Sequence, residues 1–245
     1  MTKTDDPLDQ LPGMPKRPSE VVLPRRIPVW LILAVVLVVL GAAGGLWYFF
    51  WPLDAPVPAG VKTHYANLER GTTEDGFPRL GSADAPVVIE NFTSYACPHC
   101  RNFHEERLDD LLDEIVAGDV QFVLIPITTI GPGAENAAEA AMCAGEQGMF
   151  WEMSDVLFDW QKRYTLRAFD GRRLEKGAEN LGLDRTAFAE CMDQQNPVLE
   201  RALTTFRQRG LKGTPTFFIN GSELADFAQL ENLSNLADQL RKEDE

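Results

Sequence analysis

The feature that most restricts this chain lies near its start, where Val29 to Trp51 reads VWLILAVVLVVLGAAGGLWYFFW, an unbroken run without Asp, Glu, Lys or Arg. Roughly 23 such residues, at about 1.5 Å of helical rise each, match the hydrocarbon thickness of a bilayer. A transmembrane helix over 29–51 is therefore expected. Trp30, Trp47, Tyr48 and Trp51 sit near its ends, where amphipathic rings favour the headgroup level, and Pro28 and Pro52 bracket it. A secretory signal has an apolar core of only about 7 to 15 residues, so the length favours a retained anchor, with a cut between Gly41 and Gly45 as the alternative.

Orientation follows from the flanking cations. Lys16, Arg17, Arg25 and Arg26 precede the span, whereas the first cation after it is Lys62. Positive flanks stay inside, so the N-terminus is expected in the cytoplasm and the rest outside it, in a periplasmic or cell-surface setting where thiols can be kept oxidised. Residues 1–28, rich in Pro and charge without apolar periodicity, read as a disordered cytoplasmic tail. Residues 52–75, with Pro52, Pro56, Pro58 and Gly60, read as a linker, leaving 76–245 as the folded domain. The net charge of −14 argues against a nucleic-acid binder, because phosphate recognition needs clustered Lys and Arg and the folded region supplies no basic stripe.

Within that domain, PVVIENF (86–92) is the first clear strand, and CPHC follows it directly. Phe103, Leu108, Leu111, Leu112 and Ile115 then suggest one helix from Pro98 to Val116, with Pro98 in its first turn. VQFVLIPI (120–127) has the β-branched density of a buried strand and completes a strand–helix–strand unit. From about 131 to 195 the pattern is helical, an inserted layer, and a further helical run covers Asn196 to Arg209. TFFI reads as a strand, Asn220-Gly221 as a hairpin turn, and Leu230–Leu240 as a last amphipathic helix.

Two cysteines separated by two residues at a helix start can close a small disulfide whose first sulfur is exposed. Free backbone N–H groups and the helix dipole favour the Cys97 thiolate, and a protonated His99 would add charge, so its pKa is expected to fall to about 3.5–7.5. A stable Cys97 thiolate stabilises the reduced pair and makes its disulfide an oxidant. Half of a zinc site is the alternative, with His99, His104, Cys143 and Cys191 as nominal further ligands, but no second closely spaced pair supports it. A purely structural staple is hardly needed in a domain this large. His104, one turn past Cys100, is expected on the helix surface.

SYACPHCRNFH, MCAGEQGMFWEM, FAECM and GTPTFFING together resemble the DsbA-like thiol:disulfide oxidoreductases, from about Gly76 to the C-terminus. The resemblance implies an α/β thioredoxin-like fold with an inserted helical subdomain and catalytic roles for Cys97, Pro98, His99 and Cys100. It also implies a cis Pro215, preceded by Thr214, beside the pair. It implies no cofactor beyond the redox-active disulfide and no metal. As partners it implies exported protein dithiols and, for an oxidase, a quinone-linked re-oxidant in the membrane. Many relatives carry a buried acid six positions before the first cysteine, where this chain has Asn91, and neighbouring Glu90 should face the other way.

Cys143 and Cys191 lie on expected helices of an exported domain and are the two cysteines left over. A second, structural disulfide is the reading, with two buried thiols as the alternative. The sequons at Asn91, Asn220 and Asn232 read as chance. The expected activity is dithiol oxidation by exchange. A reductase or isomerase of the same fold is the runner-up, and a metal-binding or assembly module the non-enzymatic alternative.

Overall fold

The computed structural model describes residues 28–50 and 53–224, in two units that divide at Pro52. The tail before Pro28, the expected helix Leu230–Leu240 and Asn232 lie outside the described residues. The first unit is a single helix, α1 (Val29–Phe50), whose side chains from Val29 to Trp47 are all exposed. By length and composition it can cross a membrane.

The second unit is built on a six-stranded sheet in the order β1-β2-β4-β3-β5-β6. Its strands are β1 (Arg70–Thr72), β2 (Pro78–Leu80), β3 (Val87–Thr93), β4 (Val120–Pro126), β5 (Thr216–Ile219) and β6 (Ser222–Glu223). β3 and β4 run parallel and the other pairs antiparallel. Every residue of β4 is buried, as a strand covered on both faces requires. Period-two alternation divides β3 between two cores. Val87 and Ile89 join Phe103, Phe122, Leu124 and Phe217 on one face, and Phe92 joins Val123, Ile125 and Phe218 on the other. Each such side chain contributes roughly 1.5–3 kcal/mol by leaving water.

The helical run expected from Pro98 to Val116 is interrupted. It forms α3 (Pro98–Glu106), a 3-10 turn at Asp109–Leu111, and α4 (Leu112–Ala117). Phe103 and Leu108 are five apart, a spacing that no single helical stripe accommodates; the break at Arg107, φ −125°, turns Leu108 fully inward. Between β4 and α9 (Pro197–Gln208) lie α5 (Ala134–Glu146), α6 (Phe150–Tyr164), α7 (Gly171–Leu181) and α8 (Arg185–Met192). Asp170, Asp184 and Asn196 cap α7, α8 and α9 by accepting from the amides of Arg172, Ala187 and Val198, each cap worth about 1 kcal/mol. Helix α9 covers the second core through Ala202 and Phe206.

The segment expected as a linker is instead part of this unit. Ala55, Val61 and Tyr65 are buried. A short α2 (Val61–His64) precedes β1, which extends the sheet beyond β2. The insertion holds the incoming backbone: Trp160 donates to Pro56 O (2.8 Å), Asn180 to Ala55 O (2.8 Å) and Arg173 to Asp54 O (2.7 Å). The apolar residues here are too sparse for a periodic signal, and partners more than a hundred residues away supply the structure. The expected hairpin turn is present, with Asn220 and Gly221 both at positive φ (46° and 79°) as a two-residue turn demands.

Candidate functional site

β3 ends at Thr93 and hands over to Ser94, Tyr95 and Ala96 before α3 begins. Ser94 organises this corner. Its N–H donates to Cys100 Sγ (3.4 Å), its carbonyl accepts from Cys97 N–H (3.0 Å), and its hydroxyl donates to Ile130 O (2.6 Å) and accepts from Ala96 N–H (3.2 Å). Gly131, at φ +90°, backs the same loop; a Cβ there would lie 2.6 Å from Ala96 Cβ, so only glycine fits.

Cys97 caps α3 with extended backbone angles, φ −89° and ψ 119°, and Pro98 occupies the first turn. The two sulfurs differ in access: Cys97 is 8 % exposed and Cys100 1 %. Both are free thiols. The Thr214–Pro215 peptide is cis, and Cys97 Sγ–H donates to Thr214 O at 3.1 Å. Pro98 and His99 are exposed on one side of the pair, and Thr214 and Pro215 are half-buried on the other.

This setting separates the two thiols chemically. The hydrogen bond from the Cys100 thiol holds Cys97 down at about 5 against the opposing effect of burial, with further help from the Cys100 amide, the Thr214 side chain and the His99 amide. His99 thus contributes through its backbone as part of a helix start. Burial, together with the proton shared with Cys97, pushes the Cys100 thiol far up. At neutral pH the reduced pair therefore carries one anion, on the more accessible sulfur, and one proton, on the buried one.

Asn91 is 3 % exposed on β3, between Leu124 and Phe217, and its Oδ1 has no hydrogen-bond partner among the described residues. Glu90 faces the other way, where Arg209 grips it with two hydrogen bonds (2.8 and 3.0 Å). Cys143 and Cys191 are joined (S–S 2.02 Å), linking α5 to α8. The Asn220 amide is engaged at both ends, accepting from Val88 N–H and donating to Pro86 O.

His104 departs from the expectation of a surface residue. It is 9 % exposed, because α6 packs across the second turn of α3, and its Nε2 donates to Asp155 Oδ1 at 2.6 Å. Asp155 also accepts from the Tyr65 hydroxyl (2.7 Å) and from His64 Nδ1 (3.3 Å), while His64 Nε2 donates to Asp109 (2.9 Å). Burial alone would raise Asp155, but the bonds from His104 and His64 outweigh it and hold the carboxyl at about 2. The bond to Asp155, aided by both carboxylate charges, overcomes burial and raises His64 to about 9. Nothing in the sequence spacing of Asp155 from His104, or of either from His64 and Tyr65, marks them as neighbours. Among the described residues no group of three or more His, Cys, Asp or Glu is placed to hold a metal ion.

Comparison with known proteins places this geometry. A family profile described as Thioredoxin matches residues 73–239. The Na(+)/H(+) antiporter NhaA 3 of Salinispora tropica is 34% identical over 143 residues, 58% of this chain and 21% of that one. The chain thus spans about a fifth of that relative's length. Disulfide bond formation protein D of Bacillus subtilis is 23% identical over 171 residues, covering 64% of this chain and 74% of that protein. Among solved structures, oxidised BdbD of Bacillus subtilis superposes with a TM-score of 0.61 at 23% identity, covering 71% of this chain and 98% of that one. MdbA, a thiol-disulfide oxidoreductase of Corynebacterium diphtheriae, gives 0.55 at 19% identity, covering 73% and 99%. The chain belongs to the thioredoxin family and has the fold of its DsbA-like thiol-disulfide oxidoreductases.

Proposed function

We propose that the chain is an exported dithiol oxidase, held at the membrane by α1 with its N-terminus in the cytoplasm, which passes a Cys97–Cys100 disulfide to proteins outside the cytoplasm. The observation that carries this reading is the placement of two free thiols, the more accessible Cys97 at the start of α3 and 3.1 Å from Thr214 O, and the buried Cys100 behind it; this setting holds Cys97 down at about 5 and pushes Cys100 up. Stabilising the Cys97 anion stabilises the reduced enzyme, and a disulfide whose reduced form is stable gives itself away readily.

In the oxidised enzyme a substrate thiolate attacks Cys97 Sγ. A bond forms between the two sulfurs, the Cys97–Cys100 bond breaks, and its electron pair leaves on Cys100, which takes up a proton. A second substrate thiolate then attacks the first substrate sulfur and expels Cys97 as a stable thiolate. The substrate dithiol leaves as a disulfide, two electrons remain on the enzyme, and one of the two substrate protons resides on Cys100 while the other goes to solvent. Pro98 fits the first helical turn, and His99 lends its amide to the Cys97 anion. Pro215, lacking an N–H, leaves the strand end beside Cys97 free for an extended substrate segment, and Thr214 supports the sulfurs. The chemistry requires no cofactor beyond this disulfide. Re-oxidation falls to a quinone-linked partner in the bilayer, and anchoring raises the effective concentration of both partners.

Equilibrating the full chain in detergent with glutathione buffers tests the direction. The oxidase reading expects a potential in the range of about −180 to −120 mV, whereas a value near about −270 mV makes the protein a reductant.

A further inference from the structure

One stripe of α6 grips the residue that precedes the redox motif by two positions. Ser154, Phe158 and Gln161 stand at i, i+4 and i+7, the spacing of one helix face. Ser154 Oγ shares a 2.7 Å hydrogen bond with the Tyr95 hydroxyl, the Phe158 ring lies 5.0 Å from the Tyr95 ring, and Gln161 Nε2 donates to Tyr95 O at 2.5 Å. Tyr95 is thus held at its ring, its hydroxyl and its carbonyl. The other end of the Gln161 amide, Oε1, accepts from Arg101 Nη1 at 3.1 Å. Arg101 directly follows Cys100. A single side chain from the insertion, 8 % exposed, therefore bridges both flanks of CPHC.

We infer that Gln161 is a positioning residue for the redox pair, its amide fixing the Tyr95 peptide on one side and the Arg101 guanidinium on the other, so that Cys97 Sγ stays against the amides of the α3 N-terminus. This rests on the reading of Cys97 as the exchanging thiolate. Chemistry at position 161 is demanding. Burial and length could be met by Met, but Met cannot donate to the Tyr95 carbonyl, and a hydroxyl side chain of shorter reach does not span from that carbonyl to the Arg101 guanidinium as the two ends of the Gln161 amide do. Without it the Tyr95 carbonyl is left unpaired in the interior. That peptide is then free to turn, and the Cys97 amide is tied to Ser94, the residue before Tyr95. Sulfur–amide contacts weaken steeply with misalignment, so the anion loses support although the sulfur itself is untouched.

The experiment compares full-length wild type with Gln161→Met and Gln161→Asn in detergent. It follows Cys97 alkylation by iodoacetamide against pH and measures the equilibrium constant with glutathione, with folding checked by circular dichroism. Wild type titrates at about 5, and Gln161→Met moves that midpoint up by about one unit, making the disulfide about tenfold less oxidising. Gln161→Asn, which keeps the amide but lacks its reach, shifts both in the same direction. A folded variant of either kind with an unmoved midpoint and an unmoved glutathione constant overturns the inference and leaves Gln161 a packing residue. Failure of both variants to fold overturns it equally. A wild-type midpoint near the ordinary thiol value of about 8.5 would instead refute the functional reading beneath it.

Discussion

Cys97 with Cys100, and Cys143 with Cys191, are two cysteine pairs in one folded unit with opposite chemistry. The first pair spans one helix start, where the Cys100 thiol and the amides of Cys100 and His99 stabilise an anion on Cys97. The second joins the middle of α5 to the end of α8, and Cys143 sits fully buried among the apolar residues of the insertion. Thiol chemistry is decided by where the sulfur lies relative to free backbone donors. The first pair has a reason to open and close; the second closes a loop of 48 residues and stabilises by limiting the unfolded chain.

The sharpest way to break this comparison is to disable each pair in turn. Cys97→Ser abolishes transfer of disulfides to a reduced model substrate, as followed by the appearance of substrate disulfide. Replacing Cys143 and Cys191 together by Ala leaves that rate within about twofold, yet destabilises the fold by about 4 kcal/mol on the loop-closure account, read from the urea midpoint. Loss of activity in the double Ala variant, with the fold intact, would mean that the two pairs are coupled.

A smaller effect separates anchoring of α3 from its redox chemistry. Asp155→Ala strips His104 and Tyr65 of a shared buried acceptor and should cost about 3 kcal/mol, with little change in the Cys97 titration. The pH dependence follows from the two shifts. Asp155 is depressed, so its contribution is present above its ordinary range near 4 and is lost as pH falls through about 2. His64 is raised, so its contribution is complete below about 6.5 and is lost as pH rises through about 9. Wild-type stability should therefore decline on the alkaline side in a way that Asp155→Ala does not.

The smallest signal sharpens the comparison within the redox pair. With Cys97 ionised and Cys100 protonated, reduction takes up one proton for two electrons, so the potential should change by about 30 mV per pH unit above pH 5. Below about 5, where Cys97 also takes a proton, the slope should double to about 59 mV per unit. The folded-state pKa of Cys97 is depressed, so its stabilisation of the reduced form is complete above the ordinary thiol range and is lost as pH falls through about 5. A slope of about 59 mV from pH 6 to 8 would remove the anion on which the functional reading depends.

Much of this was readable from local pattern. CPHC between a β-branched strand and an amphipathic stripe announces a helix start, GTPTFFING announces a proline before a strand and a turn after it, and the caps at Asp170, Asp184 and Asn196 stand where their helices begin. What escaped local pattern was contact with polar partners far along the chain; the Cys143–Cys191 bridge and the place of Pro215 beside the redox pair came instead from the cysteine count and the family resemblance. Residues 53–75 look like a linker because their few apolar side chains have no period, yet Trp160, Arg173 and Asn180 take up their carbonyls. His104 looks exposed until α6 is laid over it, and Gln161 carries no mark at all.

The sequence by itself therefore determined the apolar helix 29–50, the strand–helix–strand frame, and the sulfur at the mouth of α3, because each depends on residues within a turn or two of one another. Tertiary structure alone decided which carbonyls, carboxylates and amides meet: Asp155 with His104 and Tyr65, Thr214 with Cys97, Gln161 with both sides of the motif. Hydrogen bonds are short and directional, so a partner fifty or a hundred residues away is fixed only when packing brings the two backbones together, and no periodicity in the chain encodes that meeting.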